Sequence, residues 1–167
     1  MTAAAEIAVR MGEIAVSSDP GDVLISIGLG SCIGLALVDQ RRGIAGLAHV
    51  MLPEAIAGGG PAGKFADLAV PELVEQTTAL GTSRPMLKAV LVGGAHMFVL
   101  GGGSGALDIG VRNDAAVRAA LAKERITIVA AETGGSKGRT IRVTPGGPVL
   151  SKEAGGAEIE LMSGARP

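Results

Sequence analysis

The chain contains one cysteine and two histidines, and the residues around them set the chemistry open to it. Cys32 closes the segment Ser26-Ile-Gly-Leu-Gly-Ser-Cys32, between two apolar runs. A lone cysteine there reads either as a small buried hydrophobe or as a nucleophile. Three features bear on the choice. Gly28 and Gly30 interrupt an otherwise continuous strand, so the backbone must turn tightly. Such a turn exposes a thiol and aims N–H groups at a developing oxyanion, which makes Gly30 and Ser31, with the Cys32 N–H, the oxyanion candidates. A β-bulge is the other meaning of those glycines. Next, if 33–38 and 43–48 form a hairpin across the loop from Asp39 to Arg42, Cys32 lies directly opposite His49. Opposed residues have Cβ atoms about 4.5–5.5 Å apart, within reach of a thiol–imidazole hydrogen bond. Finally, an adjacent imidazolium lowers a thiol pKa, so a paired Cys32 is expected to titrate below an ordinary cysteine. Without that pairing, His49 is equally a satisfied core residue.

His96, in Gly93-Gly-Ala-His-Met-Phe98, is the competing base, but its glycine surroundings read as an exposed loop. Two histidines and one cysteine show no zinc-ligand spacing, so neither metal nor cofactor is expected. Gly101-Gly-Gly-Ser-Gly105 lacks the Gly-Lys-Ser/Thr of a phosphate loop, and no parallel crossover unit is expected around it.

The elements that must position these residues read as β first. Strands are expected at Glu13–Val16, Val23–Ile27, Ile33–Val38 and Ile44–Val50. From Phe65 to Leu80 the period becomes helical, with Phe65, Leu68, Ala69, Leu73 and Leu80 on one face and Pro71 marking a kink or the start of the main helix. Leu87–Val92 reads as a strand. Asn113 reads as the N-cap of an Ala-rich helix from Asp114 to about Glu124. Strands at Ile126–Ala131 and Thr140–Thr144 follow, then a turn-rich tail after Pro145 with a last strand at Ala157–Met162. Early strands without helical crossovers exclude a regular doubly wound fold. The expected class is α/β in the α+β sense, a single domain over 1–167 with its core at about 11–145 and mixed sheets in a sandwich-like core carrying outer helices.

Composition agrees with a packed domain. Hydrophobic residues are 47% and aromatics only 1%, so Val, Ile, Leu, Ala and Met must fill the core. A balance of 15 basic against 16 acidic residues, with no basic run, argues against nucleic acid. The start has no basic and apolar signal pattern, Val23–Val38 is too short to span a membrane, and Ala89–Leu107 carries six glycines. A soluble, cytoplasmic protein without membrane insertion is expected.

Gly28-Leu-Gly-Ser-Cys32 followed by Ala48-His-Val-Met-Leu-Pro53 resembles the two signature segments of the chemoreceptor glutamine deamidase family, CheD. Gly63-Lys-Phe-Ala-Asp67, Gly93-Gly-Ala-His-Met-Phe98, Ile109-Gly-Val-Arg-Asn113 and Glu132-Thr-Gly-Gly135 match in order, so the resemblance spans roughly 11 to 145. It implies a hydrolase that converts glutamines of methyl-accepting chemotaxis receptors to glutamate with release of ammonia, through a thioester on Cys32 with His49 as base. The family's third site residue is a threonine six positions before the cysteine. Here Ser26 stands there, keeping the hydroxyl expected to hydrogen-bond His49. The resemblance also implies a CheC-type phosphatase as a partner. The alternatives are a Cys–His amidase or glutamyl methyl esterase with another substrate, a non-catalytic module regulating a phosphatase, and a glycine-loop nucleotide binder.

Overall fold

A computed structural model describes residues 5–56, 58–96 and 109–165. The Gly101–Gly105 run and Met97-Phe98 lie outside them. One sheet is ordered β2 (Ile14–Ser17), β5 (Ile44–Val50), β4 (Ile33–Asp39), β6 (Lys88–Gly93), β7 (Thr127–Thr133). The other is ordered β1 (Ala5–Ala8), β3 (Asp22–Leu29), β8 (Arg139–Val143), β9 (Val149–Glu153), β10 (Glu158–Met162). Each contains one parallel pair, β6 with β7 and β1 with β3. With two helices outside, this is the α+β arrangement expected.

β4 and β5 are buried along their whole lengths, which is why both read as unbroken apolar runs. Alternation splits their side chains between two cores. Ile33, Leu35 and Leu37 of β4, with Ala48 and Val50 of β5, meet the helices α1 (Ala66–Ala79) and α2 (Ile109–Lys123). Ala36 and Val38, with Ala45 and Leu47, meet Leu24, Leu29, Ile141 and Val143 of the second sheet. Each fully buried Leu or Ile contributes roughly 2 kcal/mol.

β5 and β6 both run antiparallel to β4, so they are parallel to each other and α1 is the crossover between them. α2 connects the parallel pair β6 and β7. The expectation that no parallel crossover surrounds the glycine-rich segment is therefore corrected; the pairing is a long-range contact that local pattern does not encode.

Three further expectations change. α1 itself fills the expected helical stretch, with Pro71 inside it and not at its start. Its buried face is Ala66, Ala69, Val70, Leu73, Val74 and Thr77, whereas Leu68 and Leu80 are 42% and 39% exposed. Close packing on the sheet favours the small residues, and Thr77 tolerates burial because its hydroxyl donates to Leu73 O at 2.8 Å. α2 starts at Ile109, so Asn113 lies within the helix, on the buried stripe Gly110, Asn113, Val117 and Leu121. Beyond Pro145 the chain is not mainly turns. β9 and β10 extend the second sheet, with Val149 fully buried between the sheets. The last strand, β10, falls where it was expected; β1 and β9 were missed. Among the described residues no helix is long and apolar enough to cross a membrane.

Candidate active site

The β4–β5 hairpin carries Cys32 just before its first strand and His49 near the end of its second. The pairing differs from the expected one. Asp39 pairs with Ile44 and Gly34 with His49, so the loop is 40–43, not 39–42. Asp39 reads as a loop residue because it is charged, yet it is 2% exposed. Its carboxylate accepts from Thr82 Oγ1 at 2.7 Å and from the Arg42 N–H and guanidinium, both at 3.2 Å. Burial alone would raise its pKa, but the Thr82 and Arg42 bonds outweigh it and hold the carboxyl below its ordinary value. These bonds let Asp39 complete β4. The register therefore moves by two, an even number, so Cys32 stays on the same face as His49 but lies diagonal to it instead of opposite.

That face looks between the sheets. Cys32 packs against the inter-sheet core, and odd-numbered β5 residues point the same way as His49. Ser26, on the facing strand β3, is fully buried. Its hydroxyl does not go to the imidazole as expected. Ser26 Oγ donates to Val9 O at 2.7 Å, and His49 Nδ1 lies 3.1 Å from the same oxygen. A carbonyl can only accept, so Nδ1 carries the hydrogen and Nε2 is left as the acceptor. Val9 O is thus the group that sets the tautomer, with Ser26 as the second donor on it. Nothing in the local sequence marks a backbone carbonyl for this role.

The backbone of His49 is tied at both ends: its N–H donates to Glu13 O at 3.1 Å and its carbonyl accepts from Gly12 N–H at 2.9 Å. The imidazole forms part of a groove of about 370 Å³ with Val9, Arg10, Met11, Ile25 and Ile27. Met11 and Ile27 are 63% and 70% exposed, so apolar side chains share the rim of the groove with Arg10. A larger depression, on the outer face of the second sheet, has neither cysteine nor histidine in its walls.

All three carbonyls of the Cys32 turn accept hydrogen bonds. Gly30 O accepts from Ala95 N–H at 2.8 Å and Cys32 O from Gly94 N–H at 2.8 Å. Ser31 O accepts from Asn113 Nδ2 at 3.0 Å. Gly93 permits this approach: a Cβ there would lie 2.2 Å from Cys32 O, and its φ of +119° suits glycine alone. His96 sits at the end of this loop, half-buried, with its backbone N–H bonded to Gly135 O and its Nε2 buried with no partner among the described residues. It is therefore not the exposed loop residue expected.

Burial pushes the Cys32 thiol above its ordinary pKa. Burial also lowers His49, against opposing contributions from the Val9 hydrogen bond and the charge of Glu13. The resting pair is thus neutral thiol and neutral imidazole. This corrects the expected depressed thiol: desolvation penalises both charged forms, and at Cys32 burial acts with no lowering contribution from a neighbour.

The chain is similar to other proteins along most of its length. A family model described as CheD chemotactic sensory transduction matches residues 51–153. A Symbiobacterium thermophilum protein named "probable chemoreceptor glutamine deamidase CheD" is 45% identical over 158 residues, 92% of this chain and 96% of its own. Proteins of the same name from Clostridium botulinum and Clostridium kluyveri are 42% and 45% identical, covering 93% and 94% of this chain and 98% and 93% of theirs. The crystal structure of Neisseria meningitidis protein NMB0706, of the family-model DUF152, covers 78% of this chain and 64% of its own at 11% identity and a TM-score of 0.48.

Proposed function

The chain belongs to the CheD family, and we propose that it is a protein-glutamine deamidase acting on chemotaxis receptors, with Cys32 as nucleophile, His49 as general base and acid, and Ser26 as a positioning residue. The observation that carries the assignment is the hairpin face shared by Cys32 and His49, with Val9 O holding the imidazole in the tautomer whose Nε2 can accept a proton.

The proposed steps run as follows. Sγ attacks the side-chain carbonyl carbon of glutamine while its proton passes to His49 Nε2. The tetrahedral oxyanion accepts hydrogen bonds from the N–H groups of Ser31 and Cys32, the peptides whose carbonyls are pinned on the opposite side. The C–N bond breaks as the imidazolium gives its proton to the leaving nitrogen, releasing ammonia and leaving a thioester. His49 then deprotonates water, hydroxide adds to the thioester, and the thiolate departs and recovers the proton. Glutamine and water become glutamate and ammonia. A partner of the CheC phosphatase type belongs to the same proposal, and its docking over the groove beside His49 would protect Cys32 from alkylation.

The test is mass spectrometry of a receptor cytoplasmic fragment incubated with the protein. The expected result is a gain of about one dalton at specific glutamines, as amide-to-acid hydrolysis by an activated thiol requires. Absence of any such product would sink the enzymatic reading and leave the interaction module.

A further inference from the structure

Asn113 reads in the sequence as a helix cap and as the end of a family-like segment, yet it is fully buried inside α2. Both hydrogens of its amide are used. Nδ2 lies 3.0 Å from Ser31 O and 2.9 Å from Met51 O, while Oδ1 is buried with no partner among the described residues. One side chain therefore joins the residue before the nucleophile to the residue two beyond the base. In a trans peptide the C=O and the following N–H point in opposite directions. Holding Ser31 O from the α2 side consequently fixes the direction of the Cys32 N–H. The neighbouring Gly30 and Cys32 carbonyls are held by backbone N–H groups; only the Ser31 carbonyl depends on a side chain. Gly110 brings α2 close enough for this reach, because a Cβ there would sit 2.6 Å from both Gly94 O and Ala95 O.

We propose that Asn113 is a positioning residue for deamidation, which sets the Ser31–Cys32 peptide plane so that the Cys32 N–H meets the oxyanion and ties that peptide to the strand bearing His49. This rests on the Cys–His reading above. Asparagine suits this position by its donors and its length. Aspartate offers no donor when ionised, alanine offers none at all, and glutamine is one methylene too long for the same site.

The test compares Asn113→Asp and Asn113→Ala with the wild-type protein on a receptor cytoplasmic fragment, with Cys32→Ala alongside. For both Asn113 variants kcat should fall about 10–100-fold with KM within about threefold, as when a group supporting a catalytic donor is lost. Alkylation of Cys32 by iodoacetamide, a reaction that forms no oxyanion, should change by less than about threefold. The Asn113→Asp to wild-type kcat ratio should rise toward acid pH, because a protonated carboxyl regains one donor. If Asn113→Ala does not fold, Asn113→Asp, which keeps the volume, decides the matter. A purely structural role lowers the melting temperature but leaves the kcat of folded protein unchanged, and that result overturns the proposal. So does a loss of alkylation that parallels the loss of kcat, or a pH-independent ratio. Activity in Cys32→Ala would instead overturn the Cys–His reading, so the two failures are distinguishable.

Discussion

Replacing Gly93 with alanine tests how the Cys32 turn is held. The residue has φ of +119°, and the added Cβ would lie 2.2 Å from Cys32 O, well inside the 3.0 Å that real Cβ atoms essentially never breach. Two costs follow. Placing an L side chain in that region of φ costs about 1–3 kcal/mol. The Cys32 carbonyl must retreat, and losing its 2.8 Å bond from Gly94 N–H removes about 1 kcal/mol more. The expected loss of about 2–4 kcal/mol is smaller than a typical domain stability of roughly 5–15 kcal/mol, so the variant should fold. Its melting temperature should drop by about 5–15 °C for a chain of this length. Gly155 supplies the control, since its φ is +78° with nothing within 4 Å of a built Cβ. Gly155→Ala carries only the backbone strain, about 1–2 kcal/mol. The activity consequence is specific to Gly93: a displacement of about 1 Å at the nucleophile can cost on the order of 100-fold in kcat. Urea unfolding with kcat and KM on a receptor fragment would measure both. Equal stability and equal kcat in Gly93→Ala and Gly155→Ala would refute the inference that the glycine exists to admit the Cys32 carbonyl.

The proposed Cys32–His49 unit predicts that Cys32→Ala and His49→Ala each nearly abolish deamidation, with the double variant little worse; additive losses in kcat/KM would show that they act separately. Ser26→Ala removes the second donor on Val9 O and should lower kcat about 10–100-fold, whereas Ser26→Thr keeps the hydroxyl and should be neutral or better; equal kcat in Ser26→Ala shows the hydroxyl dispensable. The proposed mechanism needs neutral His49, whose pKa burial holds below the ordinary 6.5, so kcat/KM should stay level at pH 6.5 and fall only below it. An acid limb centred above 6.5 would contradict the burial argument. The same group gives a stability window: its contribution is complete above its unfolded pKa and is lost as pH falls through the folded one, because the unfolded chain binds the proton first. Cys32, raised by burial, has the opposite sign: its contribution is complete below the unfolded thiol value and is lost as pH rises through the folded one. Iodoacetamide should accordingly label native Cys32 slowly near pH 7 and faster toward alkaline pH, and rapid labelling at pH 6 would show a thiolate that the structure does not support.

The sequence alone determined the chemistry-bearing residue types and much of the local structure. One cysteine, flanked by glycines, and one histidine in the following apolar run were enough to nominate the dyad, because strand period and turn glycines are local properties. β5 was placed to the residue and β3, β4, β6 and β8 to within one or two. What failed was decided by partners distant in the chain. Asp39 belongs to β4 because Thr82, 43 residues later, offsets its burial with a hydrogen bond, and that shifts the hairpin by two. Val9 O directs both His49 and Ser26 from a segment with no motif of its own. Asn113 left a trace: it falls on the stripe of Gly110, Val117 and Leu121, where a polar residue must have partners. Which partners, Ser31 O and Met51 O, only the packing of α2 onto the sheet could decide. The thiol pKa is the clearest case, since the sign of its shift depends on how much water folding removes, and residue spacing carries no information about that.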